Sequence, residues 1–277
     1  MVRDAVKFSS LGPREQSVYF AALRAGQHVV DTDFVADVLA VSAPAAALIL
    51  SRMQRKRAIE RIGHGFYAVV SPETLYGRQR RSVDARLVID ALMRRAGLAD
   101  CYYVGFQSAA FLHGAAHQIP FALQVVVGRQ RRPLVVGETQ IRFITAAQAA
   151  IFGVENRAYQ DVRLTVSDRE RTALDLVDRP SLGGGIEEVA RTLGLLLIGA
   201  DPAKLAAYAR RLGHHRTAQR LGFLIEALGL TDFAETVTAL HALVGRNVVP
   251  LEPGGELTGP VNQRWKVRAN VALAEID

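Results

Sequence analysis

A single cysteine, Cys101, stands in 277 residues. That excludes an intrachain disulfide and any zinc site built from several cysteines, and no surrounding motif marks it as a nucleophile, so a buried inert thiol is expected. Long apolar runs are missing too. None is long enough to cross a bilayer, and residues 1 to 25 lack the charged start, apolar stretch and cleavage site of a secretory leader. A cytoplasmic protein without membrane contact is the expectation. Catalytic signatures are equally scarce: no Ser-His-Asp order, Cys-His pairing or kinase signature is legible. Gly183, Gly184 and Gly185 precede a helix but lack the Lys-Ser/Thr of a phosphate-binding loop and the spacing of GxGxxG, so they read as a flexible helix entry. His113 and His117 are four apart, yet Gly114 interrupts the helix that would align them and no Glu follows the first. Asp168, Glu170, Asp175 and Asp178 read as helix capping and first-turn dipole complementarity, because nothing supplies the lysine or second acidic strand of a metal-dependent nuclease. The expectation is no enzyme, no metal and no cofactor.

What the chain does have is apolar content and a lopsided charge. Apolar residues make up 49%, enough for a large core, and the length suits two domains. Residues 42 to 81 carry eight cations (Arg52, Arg55, Lys56, Arg57, Arg61, Arg78, Arg80, Arg81) against Glu60 and Glu73, a balance of +6, whereas residues 82 to 277 carry 22 cations against 20 acids. An excess confined to one small region suggests a polyanionic partner there.

That region has the pattern of three helices and a hairpin. The first helix starts at Pro13, repeats Val18, Tyr19, Ala22 and Leu23 on one face and stops at Gly26. The second is capped by Asp31 or Thr32 and packs through Phe34, Val35, Val38 and Leu39. In the third, Ser42 is the expected N-cap, Pro44 suits the first turn, and Ala46, Ile49, Leu50 and Met53 form a stripe at i, i+3, i+4, i+7. At 3.6 residues per turn the opposite side presents Pro44, Leu48, Ser51 and Arg55, flanked by Ala47 and Arg52. These are the candidate groove residues. With no Asn or Gln among them, phosphate contacts and thymine-methyl contacts from Ala47 or Leu48 should dominate over hydrogen-bonded base reading. Coverage of Leu48 by a second domain or a dimer partner is the other reading. Strands over Ala58 to Ile62 and Phe66 to Val70 flank Gly63, His64 and Gly65, which places His64 at an exposed tip near Arg61. Together these elements read as a winged helix-turn-helix that takes double-stranded DNA, with Lys56, Arg57, Arg78, Arg80 and Arg81 adding charge.

A linker around Pro72 and Gly77 sets a boundary near residue 81, so residues 1–81 are the expected DNA-binding domain and residues 82–277 a second domain. Expected strands there are Cys101 to Gly105, Ala122 to Val127, Gln140 to Thr145, Asp161 to Ser167, Val248 to Leu251 and Arg264 to Val271. Expected helices, after one running on from Val83, are Gln107 to His113, Arg169 to Asp178, Gly185 to Leu197, Pro202 to Leu212, His215 to Leu228 and Thr231 to Val244. The fold class is therefore α+β: a winged helix-turn-helix followed by a larger mixed α+β domain. His214 and His215 beside Arg210, Arg211, Arg216 and Arg220 form a second basic segment, read either as an extension of the DNA footprint or as a solvated helix end.

Several segments carry a family resemblance: IERIGHGFYAV, YYVGFQSAAFLHGAAHQIP, VVVGRQRRP, VSDRERTALDLVDRPSLGGGIEEVARTL, YARRLGHHRTAQRLGFLIEALG and RWKVRAN. In this order, over roughly residues 30 to 275, they resemble the AbiEi-type antitoxins, the regulatory partners of AbiE abortive-infection systems, which are type IV toxin-antitoxin modules of phage defence. The resemblance implies a non-enzymatic transcriptional repressor that binds operator DNA of its own operon. It also implies that the carboxy-terminal domain counters a neighbouring nucleotidyltransferase-like toxin, by direct contact or otherwise, with self-association on DNA as a further option. Carried over by position, Ser42 to Arg57 would be the recognition helix and Gly63 to Gly65 the wing tip. The chain departs from the pattern at Arg57, where such proteins usually have glycine. The competing readings are a ligand-sensing winged-helix transcription factor, which needs a closed apolar pocket, and a DNA-binding module fused to a nuclease or atypical kinase.

Overall fold

The computed structural model describes residues 11–76, 82–116 and 118–273. In chain order it runs α1 (Pro13–Arg24), β1 (Val29–Asp31), α2 (Thr32–Leu39), α3 (Ala43–Arg55), β2 (Ile59–Gly63), β3 (Phe66–Val69), α4 (Pro72–Tyr76), α5 (Ala85–Arg95), β4 (Tyr102–Val104) and α6 (Phe106–Leu112). It continues through β5 (Ala122–Val127), β6 (Leu134–Val136), β7 (Thr139–Thr145), β8 (Val154–Tyr159), β9 (Val162–Ser167), α7 (Arg169–Asp178) and α8 (Ile186–Leu196). Last come α9 (Pro202–Leu212), α10 (His215–Ala227), α11 (Ala234–His241), β10 (Val249–Pro250), β11 (Val261–Asn262) and β12 (Val267–Arg268). Among the described residues the fold is mixed α and β, with helices and three separate sheets. Among the described residues no single helix is long and apolar enough to cross a membrane.

The chain forms two compact units that are not continuous in sequence. The first comprises residues 1–99, 132–142 and 158–164; the second comprises residues 100–131, 143–157 and 165–277. The boundary read from the sequence, near residue 81, lies outside the described residues.

In the first unit, α1, α2 and α3 close over the sheet β1-β3-β2, whose neighbours are antiparallel. The core is the expected one. Val18, Tyr19 and Ala22 of α1, Val35 of α2, and Ala46, Ile49, Leu50 and Met53 of α3 are buried with Val30, Ile59 and Val69. Apolar side chains at helical spacing drop out of water together, each full burial being worth about 1.5–3 kcal/mol. Tyr19 completes the cluster by donating its hydroxyl to the carbonyl of Val70 at 2.7 Å, which leaves no orphan polar atom there. Asp31 caps α2 by accepting from the Phe34 amide at 2.9 Å, as its position suggests. Ser42 occupies the N-cap of α3, but its hydroxyl makes no capping bond; Pro44 in the first turn has no amide to satisfy.

The second unit holds the middle of a six-stranded sheet of order β6-β7-β5-β4-β9-β8. β4 is antiparallel to β5 and parallel to β9. α7 lies deepest among the helices: every residue from Glu170 to Val177 is buried. A small carboxy-terminal sheet, β10-β12-β11, brings Trp265 into the core, where it is fully buried and donates its indole N–H to Glu226 at 2.6 Å.

Trp265 fits only because α10 has no side chain at Gly222, where an added Cβ would stand 2.1 Å from the indole ring. Gly194, inside α8, faces open space. Gly222→Ala should therefore destabilise the protein by about 1–3 kcal/mol through overpacking. Gly194→Ala should be neutral or stabilising by up to about 1 kcal/mol through helix propensity. Melting temperatures of the two variants, expected to move in opposite directions, check both statements.

Candidate nucleic-acid interface

α2 and α3 meet at an angle of 106° across a turn of three residues, in which Ala40 takes a left-handed conformation (φ 50°). Because the buried stripe of α3 points into the core, its other side faces outward. Ser42, Pro44, Ala47, Leu48, Ser51, Arg52 and Arg55 are all exposed, Leu48 to 62%. Among the described residues of its own unit, no side chain covers that leucine. Gln54, which the sequence reading omits, is exposed as well. It stands seven residues after Ala47, two helical turns along the same flank.

The cations after α3 divide into exposed and committed ones. Lys56 is half-buried and ion-paired with Glu15, whose carboxylate also accepts from the Gly12 amide at 2.7 Å. Burial of Glu15 works against its charge, but Lys56 and the Gly12 amide outweigh it and hold the carboxyl below its ordinary range. Arg57 is exposed and sits at φ 59°, in the left-handed region where the resemblance expects glycine. For a side chain this conformation costs on the order of 1–2 kcal/mol. The charge is retained at a position the backbone would give to glycine.

In the hairpin, Gly65 supplies the positive φ of 65° that closes the turn, and His64 is exposed at its tip. Arg61 is exposed and donates its Nε–H to the Gly63 carbonyl at 3.2 Å, with Nη2 3.5 Å from His64 Nδ1. Glu60, an acid amid this charge, is turned away: its carboxylate accepts from the Gly137 amide at 2.9 Å, in the turn between β6 and β7. Arg78, Arg80 and Arg81 lie outside the described residues.

The four acids of the second unit that the sequence sets close together, Asp168, Glu170, Asp175 and Asp178, are engaged. Asp168 caps α7, accepting from the Arg171 amide at 2.8 Å. Its other oxygen takes the Tyr208 hydroxyl at 3.1 Å and Lys204 Nζ at 3.0 Å. Glu170 accepts from the Asp201 amide at 2.6 Å and from Lys204 at 3.0 Å. A lysine is thus present after all, supplied by α9 rather than by residues near the acids. Its ammonium lies between the two carboxylates, where a metal-dependent nuclease would need a cation-binding gap. Burial opposes the charge on Lys204, but its bonds to Asp168 and Glu170 prevail and raise its pKa. Asp175 is buried against Arg171 at 2.9 Å and the Tyr103 hydroxyl at 3.0 Å; burial pushes its carboxyl up to about 6 against the pull of Arg171. Asp178 takes the Thr217 hydroxyl and His214. Among the described residues no group of three or more His, Cys, Asp or Glu gathers as a metal site.

The remaining candidates resolve in the same way. The entry to α8 is occupied by Glu252, whose carboxylate accepts from the Ile186 amide at 2.6 Å where a phosphate would sit. Cys101 is half-buried rather than fully buried and accepts from Gln148 Nε2 at 2.9 Å. The depression lined by Phe223, Leu251, Pro260 and Leu273 is open to solvent, and a larger one, about 590 Å³, is lined by Leu23, His28, Val70, Leu87 and Asp161 in the first unit. His113 is buried with both ring nitrogens in use: Nε2–H donates to the Ser167 carbonyl at 2.7 Å and Nδ1 accepts from Arg157 at 3.2 Å. His117 lies outside the described residues.

Residues 103–227 match the family described as the AbiEi antitoxin C-terminal domain. The structure resembles the crystal structure of the RV2827C protein from Mycobacterium tuberculosis, with a TM-score of 0.71 over 93% of this chain and 92% of that one, at 14% sequence identity. At that identity the likeness is one of fold. No curated protein matches the sequence.

The His113 geometry requires a neutral imidazole, and burial first, with Arg157 and Arg169, depresses its pKa below 6.5. A depressed histidine binds fewer protons folded than unfolded, so its contribution to stability is full above about pH 6.5 and falls as pH drops through the folded value. Denaturant unfolding of wild type should therefore weaken between pH 7.5 and 5.5 more steeply than that of His113→Gln; equal slopes would mean that His113 does not report on this site.

Proposed function

We propose, from the match of residues 103–227 to the family described as the AbiEi antitoxin C-terminal domain, that the chain is the antitoxin of a type IV, AbiE-like toxin-antitoxin system. In this reading residues 1–81 are a winged helix-turn-helix that binds double-stranded operator DNA and represses the antitoxin's own operon. Residues 82–277 counter a nucleotidyltransferase-like toxin encoded beside it, in the cytoplasm and without catalysis by the antitoxin.

The observation that carries the DNA-binding half is the α2–α3 corner. An angle of 106° and a three-residue turn fall within the range of helix-turn-helix pairs, about 90–120° with a turn of about three or four residues. α3 then enters the major groove with its exposed face, and the hairpin tip reaches the flanking backbone or minor groove. Arg52, Arg55, Arg57, Arg61 and His64 face phosphates, while Ala47 and Leu48 offer apolar contact to thymine methyl groups. Lys56, held by Glu15, contributes less than its neighbours. The engaged carboxylates around Lys204 support a regulatory rather than hydrolytic second domain.

Binding to duplex DNA from upstream of the chain's own gene should weaken steeply with salt, by a log–log slope of about −0.9 per phosphate neutralised. Arg55→Ala should weaken all sequences alike and flatten that slope by about one unit, whereas Lys56→Ala should change it by less and Leu48 or Ser51 substitutions should shift preference among sequences. Absence of DNA binding at low salt would remove the repressor half. In cells, the Arg52, Arg55, Arg61 triple-alanine variant should lose repression of a promoter reporter yet still protect against the toxin. Loss of protection by a soluble, folded triple variant would show that the two roles are not separable.

A further inference from the structure

We infer that the cavity of about 590 Å³ in the first unit binds an aliphatic di- or polyamine, whatever α3 binds. Its volume falls in the range of small-ligand sites, about 300–1,000 Å³. The lining has two characters. α1, the end of β3 and the start of α5 supply an aliphatic wall that includes Leu23, Val70, Leu87 and Val88. Among the described residues no aromatic ring lines the cavity, which disfavours planar aromatic ligands and quaternary ammonium ions, since proteins hold both against rings. Three carboxylates stand in the same lining: Glu73 of α4, Asp84 at the amino end of α5, and Asp161 in the turn between β8 and β9. Among the described residues there, no Lys or Arg accompanies them. In a chain of net charge +7 this is a local reversal of sign, and a cleft lined by one sign concentrates counter-charge.

The three acids are not equivalent. Asp84 serves the fold: it caps α5 by accepting from the Arg86 amide at 2.9 Å, and takes the Arg86 guanidinium at 3.1 Å and the Tyr159 hydroxyl at 2.6 Å. Asp161 is exposed, and both its oxygens meet a single donor, Nε2 of His28, at 2.9 and 3.0 Å. A carboxylate offers about four lone-pair sites, so Asp161 can accept an ammonium as well. Glu73 is exposed on α4. Beside Asp161, Gln160 takes a left-handed conformation (φ 52°), so the turn keeps an amide acceptor at the cavity where glycine would be unstrained. The chemistry of the lining selects the ligand. Each ammonium brings three donors to these acceptors, methylene spacers match the aliphatic wall, and two ammoniums on one chain answer Glu73 and Asp161 together. A hydrated metal ion would leave the aliphatic wall unused, and an anion would meet charge of its own sign.

The test is isothermal titration calorimetry of the full-length chain at about 150 mM salt, where diffuse attraction is screened beyond about 8 Å. Spermidine and 1,4-diaminobutane should each bind at a single site, spermidine more tightly. The monoamine n-butylamine should bind at least tenfold more weakly than spermidine, and 1,4-butanediol, similar in length but uncharged, should give no saturable heat. Asp161→Asn keeps an acceptor for His28 but removes the charge. It should weaken spermidine about tenfold, the loss expected of a charge-assisted hydrogen bond, at an unchanged melting temperature of the unliganded chain. Gln27→Trp, at an exposed position in the lining, fills space in the cavity and should weaken both amines at least fivefold; it carries the test should Asp161→Asn fail to fold. The proposal is overturned if neither amine binds, if the folded variants stay within twofold of wild type, or if Mg²⁺ displaces spermidine at equal concentration of charge, which would make the wall a diffuse cation field. It is also overturned if Nα-acetyl-lysinamide binds more tightly than 1,4-diaminobutane, which would make the occupant a lysine side chain of another protein. Binding is read without DNA, so its failure leaves the repressor reading standing.

Discussion

The burial of one stripe of α3 is the constraint on which the amino-terminal unit depends. Ala46, Ile49, Leu50 and Met53 can leave water only if the helix presents its opposite side outward. Its orientation is thus set by packing before any partner arrives. The apolar content of the exposed side, with Leu48 open to solvent, then has no explanation in the core of its own unit. The same packing divides the cations into those that hold the fold, such as Lys56 on Glu15, and those that stay exposed, such as Arg52 and Arg55.

The second unit obeys the complementary rule, that buried charge must be neutralised where it lies. α7 is buried along most of its length yet carries Glu170, Arg171 and Asp175. Each finds its counterpart on another turn or element: Lys204 for Glu170, Asp175 and the Tyr103 hydroxyl for Arg171. Breaking such a pair by removing one member leaves an uncompensated charge in the interior, which costs about 3–5 kcal/mol. What a sequence displays as an acidic patch is here a set of internal contacts.

Helices with strong end signals were legible from sequence almost to the residue. α7 has Asp168 as its cap, and α9 has Asp201 with Pro202 at its start and Gly213 in a left-handed conformation at its end. α10 and α11 were read one and three residues too long at their carboxy ends, where no glycine stops them at once. β1, β6 and β11 escaped because two or three residues cannot establish a period of two. β8 escaped because Val154–Tyr159 is polar and largely exposed. Lys204 was illegible as the partner of Asp168 and Glu170 because it arrives from another helix, more than thirty residues on. The exposed face of α3 was legible because 3.6-residue geometry fixes it once the buried stripe is known; Gln54 was overlooked on its flank.

The interleaving of the two units has a consequence for synthesis. Contacts internal to the first unit close over long stretches of chain: Glu60 bonds the Gly137 amide, the Tyr159 hydroxyl donates to Asp84, and His28 meets Asp161. A ribosome delivers residues in order, and a unit whose last segment is residues 158–164 cannot be complete until that segment has emerged. By then β4, α6 and β5 of the other unit are already outside. Non-local closure of this kind slows folding, and it denies the amino-terminal unit the head start that first-made domains ordinarily enjoy. The α3 surface and the strands β4 and β5 are thereby brought to maturity on a common schedule.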